Sequence, residues 1–259
     1  MRYVTSLILL GVFLLPVTVG AGEPEIIDVP ARGTFTRLIV EQPSDPKAVV
    51  AIFAGGKGVV NIRENGRHGM RGNFAVRTRS LLRDESIATA VVDAPADMMD
   101  DLRLHRDSSE YAESMRAVLR YLKDRFKLPI WLHGTSRGSV SIAAIATILA
   151  ETPEKPDGLV FSASLFRQAK YGFNVFVFDL GKISGPVLIS HHKWDACAYT
   201  SPQDIPKFKA ALNNAAVSVK LYEGGSARGG DCRARHYHGF NQIEHDVVAD
   251  MAKFVLSQK

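Results

Sequence analysis

Residues 129–146 read PIWLHGTSRGSVSIAAIA. Within them Gly134-Thr135-Ser136-Arg137-Gly138 has the form G-x-S-x-G. Five residues of this form also arise by chance, so the flanks decide its meaning. On one side, PIWLHG starts at Pro129 and reads as a strand. On the other, SVSIAAIATILA (139–150) is apolar nearly all round and rich in alanine, which predicts a buried helix. A serine between the two sits on a sharp strand-to-helix turn. Glycines at 134 and 138 permit the close backbone approach that such a turn needs. The turn would lift the Ser136 hydroxyl above a sheet. It would also aim the Arg137 backbone N–H into the same space, at a helix N-terminus.

The rest of the chain supplies that sheet. GTFTRLIVEQ (33–42) is β-rich, and AVVAIFAGG (48–56) is a short apolar run ending in glycines. SIATAVVDAP (86–95), DGLVFSAS (157–164), PVLISHH (186–192) and VSVKLYE (217–223) read as further strands. Runs this apolar suit strands buried on both faces. Helices are predicted over 74–85 and 201–215, the latter with prolines at its entrance. Another follows Asp107 and Glu110, which are spaced as a capping box. Its residues Tyr111, Met115, Val118, Leu119, Leu122 and Phe126 fall on one face. A terminal helix follows a box-like start at Asn241 and Glu244, with Ile243, Val247, Val248, Met251, Phe254 and Val255 on one face. Residues 59–72 are rich in glycine and arginine, without a period, and read as loop.

Strands alternating with helices predict an α/β fold: a mostly parallel central sheet with helices on both faces. No second core, repeat or linker is evident, so residues 23–259 read as a single domain. Residues 163–185 are too few for a large cap domain. Phe166, Tyr171, Phe173, Phe176 and Phe178 lie there, and fit either an aromatic flap over a site or simple loop packing.

Of the 259 residues, 46% are apolar and 23% charged, with both signs interspersed. That is the composition of a folded globule. The formal net charge is +5, and the nearest thing to a basic cluster runs from Arg63 to Arg83. Nucleic-acid binding does not follow from this. Arg2, the apolar run Leu7–Leu15, Pro16 and the small residues Val19-Gly20-Ala21 read as a signal peptide over residues 1–22. The run is too short to span a bilayer comfortably. The expected location is periplasmic or secreted, with no stable membrane span after cleavage. There, Cys197 and Cys232 read as a disulfide. It would close a loop of about 35 residues and contribute about 3–4 kcal/mol.

A serine hydroxyl needs a base, and the base needs an orienting acid. On this topology the order is serine, acid, histidine. Asp195 follows PVLISHH, and His238 lies between VSVKLYE and the terminal helix. Both fall at carboxyl ends of strands, where an open parallel sheet places its ligands. His236 is a rival base and Asp179 a rival acid. Asp93 reads as structural, His245 as a surface residue, and Ser139 and Ser141 lie inside a helix.

On GTSRG, the position of Asp195, HGF at 238–240 and the order of elements over nearly the whole chain after residue 22, the sequence resembles the α/β-hydrolase fold family. The resemblance implies Ser136 as nucleophile, His238 as general base and acid, and Asp195 as orienting carboxylate, with no cofactor. It also places an oxyanion loop at AIFAGGKG (51–58), where the N–H of Gly56 or Lys57 would join that of Arg137. Ala54 stands where the family often has histidine. A bonded Cys197–Cys232 pair would tie the acid loop to the histidine loop. The expected function is an exported serine hydrolase cleaving a carboxylic ester, small or polymeric, or a related acyl bond.

Two other classes stay open. His191, His192, Asp195, His236 and His238 could serve a metal-dependent hydrolase, although no H-E-x-x-H spacing occurs. A non-catalytic binding protein could use the same fold. GGKG lacks the rest of a phosphate loop, and no G-x-G-x-x-G is present.

Overall fold

The structure is a computed structural model that describes residues 23–258. The segment read as a signal peptide lies outside the described residues.

Among the described residues eight strands form one open sheet: β1 (Glu25–Ala31), β2 (Thr34–Glu41), β3 (Ala48–Phe53), β4 (Ile87–Pro95), β5 (Ile130–Thr135), β6 (Gly158–Ser162), β7 (Gly185–His192) and β8 (Ala215–Tyr222). Their spatial order is β1-β2-β4-β3-β5-β6-β7-β8. β1 pairs antiparallel with β2, and β2 antiparallel with β4. From β4 to β8 every neighbouring pair is parallel. β3, β4, β5 and β6 are buried at every residue, as their apolar runs require.

Alternation along the strands divides the core in two. Val49, Ala51 and Phe53 of β3 face one layer, and Val50 and Ile52 face the other. Among the described residues six helices cover these faces: α1 (Phe74–Arg77), α2 (Arg79–Asp84), α3 (Ser109–Phe126), α4 (Gly138–Ile148), α5 (Ile205–Ala211) and α6 (Glu244–Ser257). α3, α4 and α5 pack on the first face, and α1, α2 and α6 on the second. Among the described residues, no helix is long and apolar enough to cross a membrane.

Several boundaries differ from the sequence-based expectation. β1 was not foreseen; it is an edge strand with only Val29 buried, and carries little hydrophobic pattern. The helix over 74–85 divides at Thr78, whose hydroxyl donates to the Phe74 carbonyl at 2.8 Å. α3 is capped by Ser108, not Asp107: Ser108 Oγ accepts from Tyr111 N at 3.1 Å. α5 is shorter than 201–215, and a 3₁₀ turn at Pro202–Asp204 precedes it. No capping box starts α6; the Asn241 amide donates to Ser226 instead. Residues 163–184 hold two 3₁₀ turns and no larger insertion. Phe166 is buried there, with its ring 5.3 Å from Phe208 and stacked at 5.8 Å on His191. The aromatic loop is therefore packed onto the core.

Candidate active site

Ser136 follows the last residue of β5, and α4 begins at Gly138. Its φ is +55°, a left-handed conformation that strains any residue with a Cβ. The turn is pinned on both sides. Ser136 N donates to Ser162 O at 3.0 Å, and Ser136 O accepts from Ser139 N at 3.0 Å. A Cβ at 134 would collide with the Gly138 carbonyl, and one at 138 with the Phe53 carbonyl. The glycines of the motif are thus places where backbones touch. Ser139 Oγ donates to Ser136 O at 2.6 Å and accepts from Leu165 N at 3.0 Å. Ser141 accepts from Arg106. Ser136 is half-buried and lines a cavity of about 380 Å³ with Gly55, Gly56, Asn73, Arg233 and His238.

Asp195 lies just past β7 and is buried. Its Oδ1 accepts from Cys197 N at 3.0 Å. Its Oδ2 accepts from the Thr200 hydroxyl at 2.9 Å and from His238 Nδ1 at 3.0 Å. His191 Nε2 stands 3.3 Å from the same oxygen while facing Thr200 O at 2.7 Å. Burial alone would raise the Asp195 pKa; hydrogen bonds from His191 and His238 outweigh it and hold the carboxyl well below the usual carboxylate range. With its Nδ1–H donating to the Asp195 carboxylate, the neutral His238 ring carries its lone pair on Nε2. Cys197 and Cys232 are joined, with Cα atoms 4.7 Å apart. The bridge links the loop of Asp195 to the segment before His238.

The rival residues fall elsewhere. His236 Nε2 faces Asp231 Oδ1 at 3.6 Å. Asp179 is exposed at the start of a 3₁₀ turn. Asp93 accepts from the N–H groups of Val60 and Ile62 at 2.7 Å each and of Ala94 at 2.8 Å, so it organises the loop after β3. His245 is exposed on α6. His192 Nε2 faces Gly224 O at 3.0 Å, and its Nδ1 accepts from Trp194 N at 3.0 Å. Of the histidines considered as metal ligands, His191 and His238 face Asp195, while His192 and His236 are directed at Gly224 O and Asp231. Among the described residues no three His, Cys, Asp or Glu side chains are grouped to hold a metal.

In the loop after β3, Gly56 has φ +58° and lines the cavity; Lys57 is exposed, and its carbonyl accepts from Leu102 N at 3.0 Å. The N–H groups of Gly56, Lys57 and Arg137 donate to no partner among the described residues. Behind this loop sits a residue that the sequence did not mark. Arg106 is fully buried, bonds Ser141, and lies 3.4 Å from Ala54 O and 3.5 Å from Gly56 O. No carboxylate lies within 4.0 Å of it among the described residues, and burial lowers its pKa to about 10. Beneath Ser136, His133 Nε2 meets Ser162 Oγ at 2.8 Å, and Ser162 meets Thr135 Oγ1 at 2.6 Å. Burial pushes the His133 pKa down to about 3. Thr200 was also missed; a threonine five residues past an aspartate carries no sequence signal.

No protein-family model matches this sequence, and no curated protein matches it. Solved structures do. An esterase from Pyrococcus furiosus superposes with TM-score 0.65 at 11% identity, over 91% of this chain and 91% of its own. A dienelactone hydrolase from Anabaena variabilis gives 0.61 at 16% identity, over 92% of this chain and 99% of its own. Est1E from Butyrivibrio proteoclasticus, solved with ferulic acid, gives 0.59 at 15% identity, over 88% and 99%. This chain has the α/β-hydrolase fold.

Proposed function

We propose that this chain is an exported serine hydrolase of one domain (residues 23–259) that cleaves a carboxylic ester or a related acyl bond. One observation carries the reading: Ser136, on its strained turn, and His238, with Nδ1 held by Asp195, line the same cavity. Ser136 Oγ attacks the carbonyl carbon while His238 Nε2 takes its proton. The tetrahedral oxyanion is held by the Arg137 N–H and by that of Gly56 or Lys57. His238 then protonates the departing alcohol, leaving an acyl-enzyme. Water, deprotonated by His238, adds to the acyl carbon; as the tetrahedral intermediate collapses His238 returns that proton to Ser136 Oγ, and the acid departs. Asp195 fixes the ring and stabilises its charge when both nitrogens are protonated. The activities of the structural neighbours, esterases and a dienelactone hydrolase, support the same chemistry. The leader-like residues 1–22 and the disulfide support export.

A fluorophosphonate probe tests this. It is expected to label the wild type and Ser139→Ala, and to leave Ser136→Ala unlabelled. Equal labelling of all three, or of none, counts against Ser136 as the nucleophile.

A further inference from the structure

We infer that the substrate is an anionic ester, and that Arg63, Arg67 and Arg71 form a shelf beside the cavity that receives its negative group. This rests on the hydrolase reading above. The three arginines belong to the glycine-rich loop between β3 and α1, and that loop is built to hold a shape. Asp93 fixes its start through Val60 and Ile62. Gly69 N donates to Val60 O at 2.7 Å, and Arg63 N to Arg67 O at 2.8 Å. All three side chains are exposed, and none has a carboxylate within 4.0 Å among the described residues. Arg67 and Arg71, with His68, line both of two adjoining clefts of about 390 and 260 Å³, and Arg63 lines the smaller.

The neighbouring arginines are neutralised. Arg77 pairs with Glu244 at 2.7 Å, Arg79 with Glu41 at 2.6 Å and Arg37 with Asp28 at 2.6 Å. The nearby acids leave the shelf uncompensated: Glu64 is 3.9 Å from Arg37, and Asp231 faces His236. Guanidinium groups gathered without counter-charge repel one another, and an oxyanion relieves this while filling their forked donors.

Shelf and cavity are adjacent along the chain: Arg71 lines the clefts, and Met70 and Gly72 on either side of it line the cavity. Asn73 lines the Ser136 cavity as well, and so does Arg233, which has no carboxylate within 4.0 Å among the described residues. The Arg77 guanidinium donates to Gly72 O and to Gly239 O, at 2.6 Å each. It therefore locks the shelf loop to the turn that carries His238, so an anion seated on the arginines stands in fixed relation to the reacting groups. The recognised chemistry is a carboxylate, phosphate or sulfate on the ester, borne by either the acyl or the alcohol part.

The test reads binding and turnover separately. Ser136→Ala protein is titrated by calorimetry with the adipate dianion at about 20 mM salt, alone and combined with Arg63→Gln, Arg67→Gln and Arg71→Gln. Saturable binding is expected, weakened about tenfold by the arginine changes and by about 0.5 M NaCl. In otherwise wild-type protein, mono-4-nitrophenyl adipate against 4-nitrophenyl hexanoate probes an acyl-side anion. 4-Acetoxybenzoate against its methyl ester probes an alcohol-side one. One pair is expected to favour the anionic member by about tenfold in kcat/KM, and the triple glutamine variant to lose that preference while keeping the neutral rate. Absence of saturable adipate binding, or binding and preference unchanged in the triple variant, overturns the inference. The hydrolase reading fails separately, if fluorophosphonate leaves Ser136 unlabelled, and the adipate titration remains readable in that case.

Discussion

His191 and His238 converge on one carboxylate oxygen: Nε2 of the first is 3.3 Å, and Nδ1 of the second 3.0 Å, from Asp195 Oδ2. Two imidazoles and the Thr200 hydroxyl thus face a buried anion that has no Lys or Arg partner within 4.0 Å among the described residues. Asp195→Asn removes the charge that holds the His238 ring and tautomer. Turnover of 4-nitrophenyl acetate is expected to fall by about 10³-fold or more, with the fold intact by circular dichroism. His191→Gln should cost about three- to tenfold in kcat with little change in KM, because it acts through Asp195. Near-normal turnover of Asp195→Asn would remove that residue from the proposed chain of groups.

His133 makes stability depend on acid. Its pKa is about 3 in the folded protein, against about 6.5 for an ordinary imidazole. Between those values the unfolded chain binds a proton that the folded chain refuses. Its contribution is therefore whole above about pH 6.5 and declines as pH falls, by up to about 1.4 kcal/mol per unit. His133→Gln keeps a polar group beside Ser162 and does not titrate. Its melting temperature is expected to fall less than that of wild type between about pH 7 and pH 4.5. Parallel declines in the two proteins would place the acid sensitivity elsewhere.

The disulfide spans 35 residues and joins the two loops that carry Asp195 and His238. Replacing both cysteines by serine should lower stability by about 2–4 kcal/mol. It should also lower kcat more than it raises KM, since on the proposed mechanism the bridge positions reacting groups, and it touches the cavity only at Cys232. Chemical denaturation and steady-state kinetics on the same sample separate the two effects. An unaltered kcat in the folded variant would leave the bridge a purely stabilising role.

Gly138→Ala forces a methyl group into the Phe53 carbonyl at the crossing of β3 and α4. A cost of about 1–3 kcal/mol is expected, together with a shift of the Ser136 turn that lowers activity. Denaturant midpoints of the variant and the wild type measure it. A difference of less than about 0.5 kcal/mol would show that the two backbones can separate freely.

The sheet and the positions of Ser136, Asp195 and His238 were legible because each rests on local pattern. A run such as AIFAGG or PIWLHG encodes a doubly buried strand directly, and chain order then places the loops at its carboxyl end. What escaped was decided by tertiary partners. β1 needs β2 beside it to be a strand at all. Asp107 heads the capping-box spacing, yet Ser108, one residue on, makes the cap. Arg106 sits among exposed polar residues in the sequence, and only the fold reveals that it is sealed behind the Gly56 loop. Thr200 becomes part of the site because its turn folds back on Asp195.

Position 136 sets durability against use. Glycine there would adopt φ +55° without the clash that serine suffers, a relief of about 1 kcal/mol. The surrounding bonds to Ser162 and Ser139 run through backbone and would survive the change. On the proposed mechanism, a copy of this gene released from selection for that chemistry would gain robustness by discarding the hydroxyl.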